Sequence, residues 1–168
     1  MKKAFLKTTI ILFTFFMRCI GRLPFKGCRI SGLRYLSQRS LEKGRLEKAE
    51  RQAKELLALA PEFCDGFLDG NAIHDSNIIL GKISLKSGNL EKAKFYLLQA
   101  GRTPGSPQLN SFGPNMSLAK ELLVLGNTEI VLEYFELCRR FWNNVALDRW
   151  AQEISEGKLP EFKGNLLY

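Results

Sequence analysis

One imidazole, four thiols and a few hydroxyls are the groups in this chain with the means for nucleophilic or metal chemistry. His74 is the single histidine. With Ser106 or Ser111 and one of several aspartates it would compose a hydrolytic triad, yet neither serine stands in the Gly-x-Ser-x-Gly setting that exposes a nucleophile. A lone histidine near a helix start is more often solvated or structural, so no catalytic residue is assigned. Cys19, Cys28, Cys64 and Cys138 show no CxxC or Cys/His ligand spacing, which excludes the usual zinc frameworks. If a leader were cut after Gly21, three cysteines would remain, an odd number that argues against a disulfide framework. Cys138 falls in an apolar frame and reads as a small core residue. No Gly-rich phosphate loop or dinucleotide fingerprint is present, so no cofactor is expected.

What the sequence does carry is an internal repeat. Gly-x-Leu-Glu-Lys-Ala occurs as Gly44, Leu46, Glu47, Lys48, Ala49 and again as Gly88, Leu90, Glu91, Lys92, Ala93. A leucine followed by a small residue lies before each glycine: Leu36 and Ser37, Leu80 and Gly81, and, before Gly126, Leu118 and Ala119. A compact residue follows five places later, at Ala49, Ala93 and Val131. The spacing predicts a helix that ends at the glycine, a reversal through positive φ, and a second helix that packs back antiparallel. Leu56, Leu97 and Phe135 then fill the space between neighbouring pairs. A single pair cannot bury its apolar face, so the pairs must pack on one another.

The pattern resembles the tetratricopeptide repeat, a 34-residue helical hairpin unit. Residues 74–107 carry it best, with Leu80, Gly81, Gly88, Ala93, Leu97 and Ala100; residues 30–63 keep Leu36, Gly44, Ala49 and Pro61; residues 112–145 keep Leu118, Ala119, Gly126, Val131 and Phe135. The copies are degenerate: the glycines lie 44 and then 38 residues apart, aromatics are missing at two usual places, and two copies lack the closing proline. The resemblance implies an all-α chain, a right-handed stack of about three antiparallel helix hairpins, and a non-catalytic module that binds a protein or peptide. It also implies that the first helix of each pair lines a concave face, which places Asp75, Ile78, Lys82, Leu85 and Lys86 of the middle unit and Met116, Lys120, Leu123 and Val124 of the third in one groove. Lysines among aliphatic side chains suit an extended peptide with acidic groups.

Charge is placed unevenly. Residues 1–50 hold 12 Lys or Arg against 3 acids, whereas residues 51–168 hold 13 against 14, so the net +8 belongs to the N-terminal part and gives no reason to expect a nucleic-acid partner. Lys2, Lys3 and Lys7 precede the uncharged run Thr8 to Met17, the layout of a secretory leader over residues 1–29; as a helix that run spans only about 15 Å, half a bilayer core. Export to the cell envelope is the expectation. Two alternatives stand beside it. The spread of Arg18, Arg22, Arg29, Arg34 and Arg39 before the first acid, Glu42, also fits a mitochondrial presequence. A retained leader would make the chain a membrane-surface organiser, with membrane association through residues 1–29.

Two segments depart from helix packing. Residues 101–115 hold three prolines and three glycines and read as a shaped loop, with Leu109 or Phe112 tucked into the core. With His74, this loop is where a catalytic or enzyme-associated reading would have to place its site. The stretch from Asp65 to Asn71 has turn chemistry, with Asn71 a candidate cap for the following helix and Asn115 or Ser117 for the one after the long loop. Over residues 146–168, Leu147, Trp150, Ala151 and Ile154 form an amphipathic stripe ending near Gly157, a capping helix, followed by the apolar tail Leu166, Leu167 and Tyr168.

Overall fold

The computed structural model describes residues 26–60 and 69–166, with side chains from Arg29 onward. Residues 1–25, which hold most of the expected leader with Cys19, lie outside the described residues, as do the Cys28 side chain, the stretch 61–68 with Pro61 and Cys64, and Leu167 and Tyr168 of the tail. Among the described residues the chain is all-α: α1 (Lys26–Glu42), α2 (Leu46–Leu59), α3 (Asp69–Lys86), α4 (Leu90–Gly101), α5 (Pro107–Phe112), α6 (Ser117–Val124), α7 (Thr128–Cys138), α8 (Val145–Ser155), and a 3-10 turn at Lys163–Leu166. The first helix thus begins inside the range expected to be leader.

The three repeat glycines all close helix–turn–helix pairs. Gly44, Gly88 and Gly126 have φ of +68, +73 and +76°, conformations open to glycine at little cost. In each turn the glycine N–H donates to the carbonyl three residues back and the next N–H to the carbonyl five back: Gly44 to Leu41 and Arg45 to Ser40, Gly88 to Leu85 and Asn89 to Ser84, Gly126 to Leu123 and Asn127 to Leu122, all at 2.8–3.0 Å. These bonds satisfy the last carbonyls of α1, α3 and α6 and start the reversal. Past the turns, Ala49, Ala93 and Val131 are fully buried and let each second helix lie close on its first; Leu56, Leu97 and Phe135 are buried as well, Phe135 against Trp150 and Phe162. Helices α1, α3 and α6 are neighbours in that order, and so form one continuous face. Leu118 of α6 sits where a side chain at Gly81 of α3 would be, 2.2 Å from an added Cβ.

The 101–115 segment is not the plain loop expected from its prolines and glycines. Pro107 starts a six-residue helix because its missing N–H costs nothing there, and the Ser106 hydroxyl accepts from Leu109 N–H at 3.0 Å as the cap. Leu109 is buried, whereas Phe112 is 67% exposed. The segment docks on the start of α3: Thr103 Oγ1 donates to the Gly70 carbonyl at 2.8 Å, Ser106 Oγ to Asn71 Oδ1 at 2.8 Å, and Asn71 Nδ2 to Gln108 Oε1 at 3.1 Å. Asn71 is therefore inside α3 and holds the segment instead of capping the helix. Asn115 does act as a cap, its side chain accepting from Ser117 N–H at 2.8 Å.

At the C-terminal end Leu147, Trp150 and Ile154 of α8 are buried and Asp148, Arg149 and Gln152 face water. Trp150 meets Phe162 at 4.9 Å, Trp142 at 5.8 Å and Phe135 at 6.1 Å between ring centroids. Beyond Phe162, Asn165 reaches back: its amide donates to the carbonyls of Phe112 and Pro114, and its own carbonyl accepts from Met116 N–H at 2.8 Å.

Two stability outcomes follow from this packing. A Cβ at Gly70 would lie 1.7 Å from the Gly105 carbonyl oxygen, a backbone atom, so Gly70→Ala is expected to cost about 3 kcal/mol. Thermal unfolding should show a midpoint lower by about 10 °C. Trp150→Ala removes the centre of the aromatic cluster and should cost about 4 kcal/mol in urea unfolding; an unchanged midpoint would show that α8 is not part of the cooperative core.

Candidate functional site

The face made by α1, α3 and α6 carries two concavities. The first is a cleft of about 280 Å3 bounded by Ser31, Arg34, Tyr35 and Gln38 from α1, Asp75, Ile78 and Ile79 from α3, and Asn115. The second is a more open shelf of about 420 Å3 bounded by Leu85, Lys86, Lys120, Glu121, Val124 and Leu125, where α3 and α6 end. Helix geometry separates them by about 12 Å along α3.

Position on the helices decides which expected residues reach this surface. Ile78 is buried and offers the cleft only an edge, and Met116 is wholly inside the core, so it does not point into the groove. Leu85 and Leu123 are half-buried against the core, and only Leu85 lines the shelf. Val124 is 67% exposed. The three lysines are not equivalent. Lys82 Nζ lies 3.0 Å from Glu121 Oε1, an ion pair tying α3 to α6, so its charge is matched within the protein. Lys86 and Lys120 have no ion pair among the described residues and flank the aliphatic side chains of Leu85, Val124 and Leu125.

The cleft is electrostatically closed on itself. Arg34 Nε donates to Asp75 Oδ2 at 2.6 Å. The other carboxylate oxygen, Oδ1, is 3.1 Å from His74 Nδ1. Burial alone would push the Asp75 carboxyl up, but the Arg34 guanidinium and the His74 contact outweigh it and hold the group below the usual carboxylate range. His74 itself is wholly buried, its Nε2 3.1 Å from the Tyr134 hydroxyl, which donates to the Asn115 carbonyl at 3.2 Å. Neither ring nitrogen meets a serine: Ser106 bonds Asn71, and Ser111 lies on α5. Cys138, one turn beyond Tyr134, is a free thiol. Its burial pushes the thiol far up, against a Tyr134 hydrogen bond that lowers it. Among the described residues no group of His, Cys, Asp and Glu side chains is placed to hold a metal ion. No helix among them is long and apolar enough to cross a membrane.

Ser31, Arg34 and Gln38 were not among the residues expected at the groove, though the repeat frame reaches them: they stand at positions two, five and nine of the first unit, where Asp75, Ile78 and Lys82 stand in the second. Tyr134 carried no such signal. Comparison with protein-family models, with curated proteins and with solved structures finds no match to this chain.

The pairing at Asp75 makes a pH-dependent outcome. Because its folded position is lowered, its contribution is present above the ordinary carboxylate range and is lost as pH falls through the lowered value. Asp75→Asn should cost about 2 kcal/mol at neutral pH and flatten the acid limb of the stability profile. Urea midpoints of both proteins from pH 7 to pH 2 measure this, and parallel profiles would show that Asp75 is not the group responsible.

Proposed function

We propose that the chain is a non-catalytic binding module of tetratricopeptide type that takes an extended, acidic peptide or protein segment along the face of α1, α3 and α6. Lys86 and Lys120 beside an aliphatic shelf carry this reading, for among the described residues that is where the face has cationic charge without an ion pair. An acidic side chain of the partner meets the two ammoniums while an adjacent aliphatic one rests on Leu85, Val124 and Leu125. The neutralised cleft of Ser31, Tyr35, Gln38 and Asn115, about 12 Å away, then receives an uncharged polar group roughly four residues along an extended strand. The leader composition supports a place at the cell envelope, as does the concentration of basic residues before Glu42.

Selection of a displayed random-peptide library on the full chain tests this. Enriched peptides should combine acidic with aliphatic residues. Against the best of them Lys86→Ala/Lys120→Ala should weaken affinity by about tenfold, or 1.4 kcal/mol, and the difference should shrink at high salt. Peptides without acidic residues, or an unchanged affinity, would remove the groove assignment.

A further inference from the structure

The network behind the cleft has more contacts than a neutral imidazole can serve. Asp75 is held ionised and a carboxylate only accepts, so the hydrogen at the Nδ1 contact must come from His74. The Asn115 carbonyl also only accepts, so the Tyr134 hydroxyl must give it its one proton. That leaves the Tyr134 oxygen as an acceptor, and the Nε2 contact at 3.1 Å needs a second ring hydrogen. Cys138 does not relieve this: the Tyr134 contact lowers the thiol, which makes the sulfur one more acceptor for the hydroxyl proton and supplies none to the ring. All three contacts close only when His74 carries both ring protons. With a neutral ring, either Tyr134 turns its proton to Nε2 and abandons Asn115, or a bare Nδ1 lone pair faces the carboxylate.

We propose that His74 is a proton-operated latch, whose second ring proton holds Tyr134 on the Asn115 carbonyl and whose loss releases the segment that leads into α6. Among the described residues the titratable or charged groups facing the ring are Asp75 of α3, with Arg34 of α1 behind it, and Tyr134 of α7, with Cys138 behind it; the 101–116 segment contributes the Asn115 main chain. The direction is fixed by this inventory. The closed form binds one proton more than the open form, so it is favoured at low pH and lost once pH rises far enough to remove that proton. On the acid side it persists until Asp75 is protonated. Asn115 walls the cleft and caps α6, so opening changes both, whatever the cleft binds.

The single histidine makes the test unambiguous. Nitrogen–proton spectra of the imidazole in the full chain, taken from pH 5 to pH 9, are read with hydrogen exchange of the Met116 and Ser117 amides, corrected for intrinsic rates. A doubly protonated ring is expected at the acid end. Loss of one proton should bring about a tenfold fall in protection of those two amides, the equivalent of one buried hydrogen bond. Tyr134→Phe should leave the ring titrating but make the protection independent of pH; should that variant fail to fold, His74→Gln, neutral at all pH, should give the low-protection state throughout. A ring that is neutral from pH 5 upward, one still doubly protonated at pH 9, or a titration that leaves the amides unmoved would each overturn the latch.

Discussion

A helix pair joined by a three-residue turn buries one stripe of each helix against its partner and leaves a second apolar surface uncovered. That leftover surface is the constraint on which the rest of this molecule depends. Ala49, Ala93 and Val131 bring the helices of each pair together, and Leu56, Leu97 and Phe135 are buried on the second helices. Beyond the third pair Phe135 is covered by other means. The chain meets the need with α8 and with Phe162, whose ring stands edge-on to both Phe135 and Trp150. A single helix is narrower than a pair, and the aromatic side chains supply the missing width.

The same constraint explains the interruption in the period. Between α4 and α6 the chain travels over the start of α3 before the third pair begins, and it must carry its polar backbone past a buried surface. Thr103, Ser106, Asn71 and Gln108 satisfy that backbone or each other, and Gly70 and Gly105 permit an approach that no side chain would allow. Asn165 closes the far side of the segment by taking the carbonyls of Phe112 and Pro114. A stretch that looks irregular by composition is fixed from two directions, by α3 and by the tail.

Legibility in the sequence followed from whether a feature is local. The turns were readable because positive φ is a property of the glycine itself, and the small residues were readable because they recur at a fixed distance from it. The capping stripe was readable from its helical period. The short helix at Pro107 was hidden by proline and glycine content that describes its flanks, although Ser106 followed by Pro107 is a start signal. Asn71 was misread for a related reason: an Asn near a helix start has several possible partners, and its real ones lie 35 and 37 residues away. Tyr134 and His74 are 60 residues apart, so no spacing rule could have joined them. Met116 shows the limit of carrying a frame from one copy to another, since it precedes the first turn of α6 and is wholly buried.

Charge counted along the chain overstates how cationic the candidate groove is. Arg34 is matched by Asp75 and Lys82 by Glu121, both across helix boundaries, and these pairs tie α1 to α3 and α3 to α6. Among the described residues Lys86 and Lys120 are the lysines of this face without an ion pair, and they sit at an open shelf where water and salt screen them. Exposed ion pairs contribute about 0.2–1 kcal/mol each. Two such contacts cannot supply useful affinity alone, so the aliphatic side chains of Leu85, Val124 and Leu125 must supply the larger share through burial, at about 25 cal/mol per Å2. In the proposed reading the lysines select among apolar segments by sign and steer their approach. The matched pairs leave Arg34 and Lys82 little charge to offer an acidic group, so on the proposed reading recognition would fall at the end of α3 and α6.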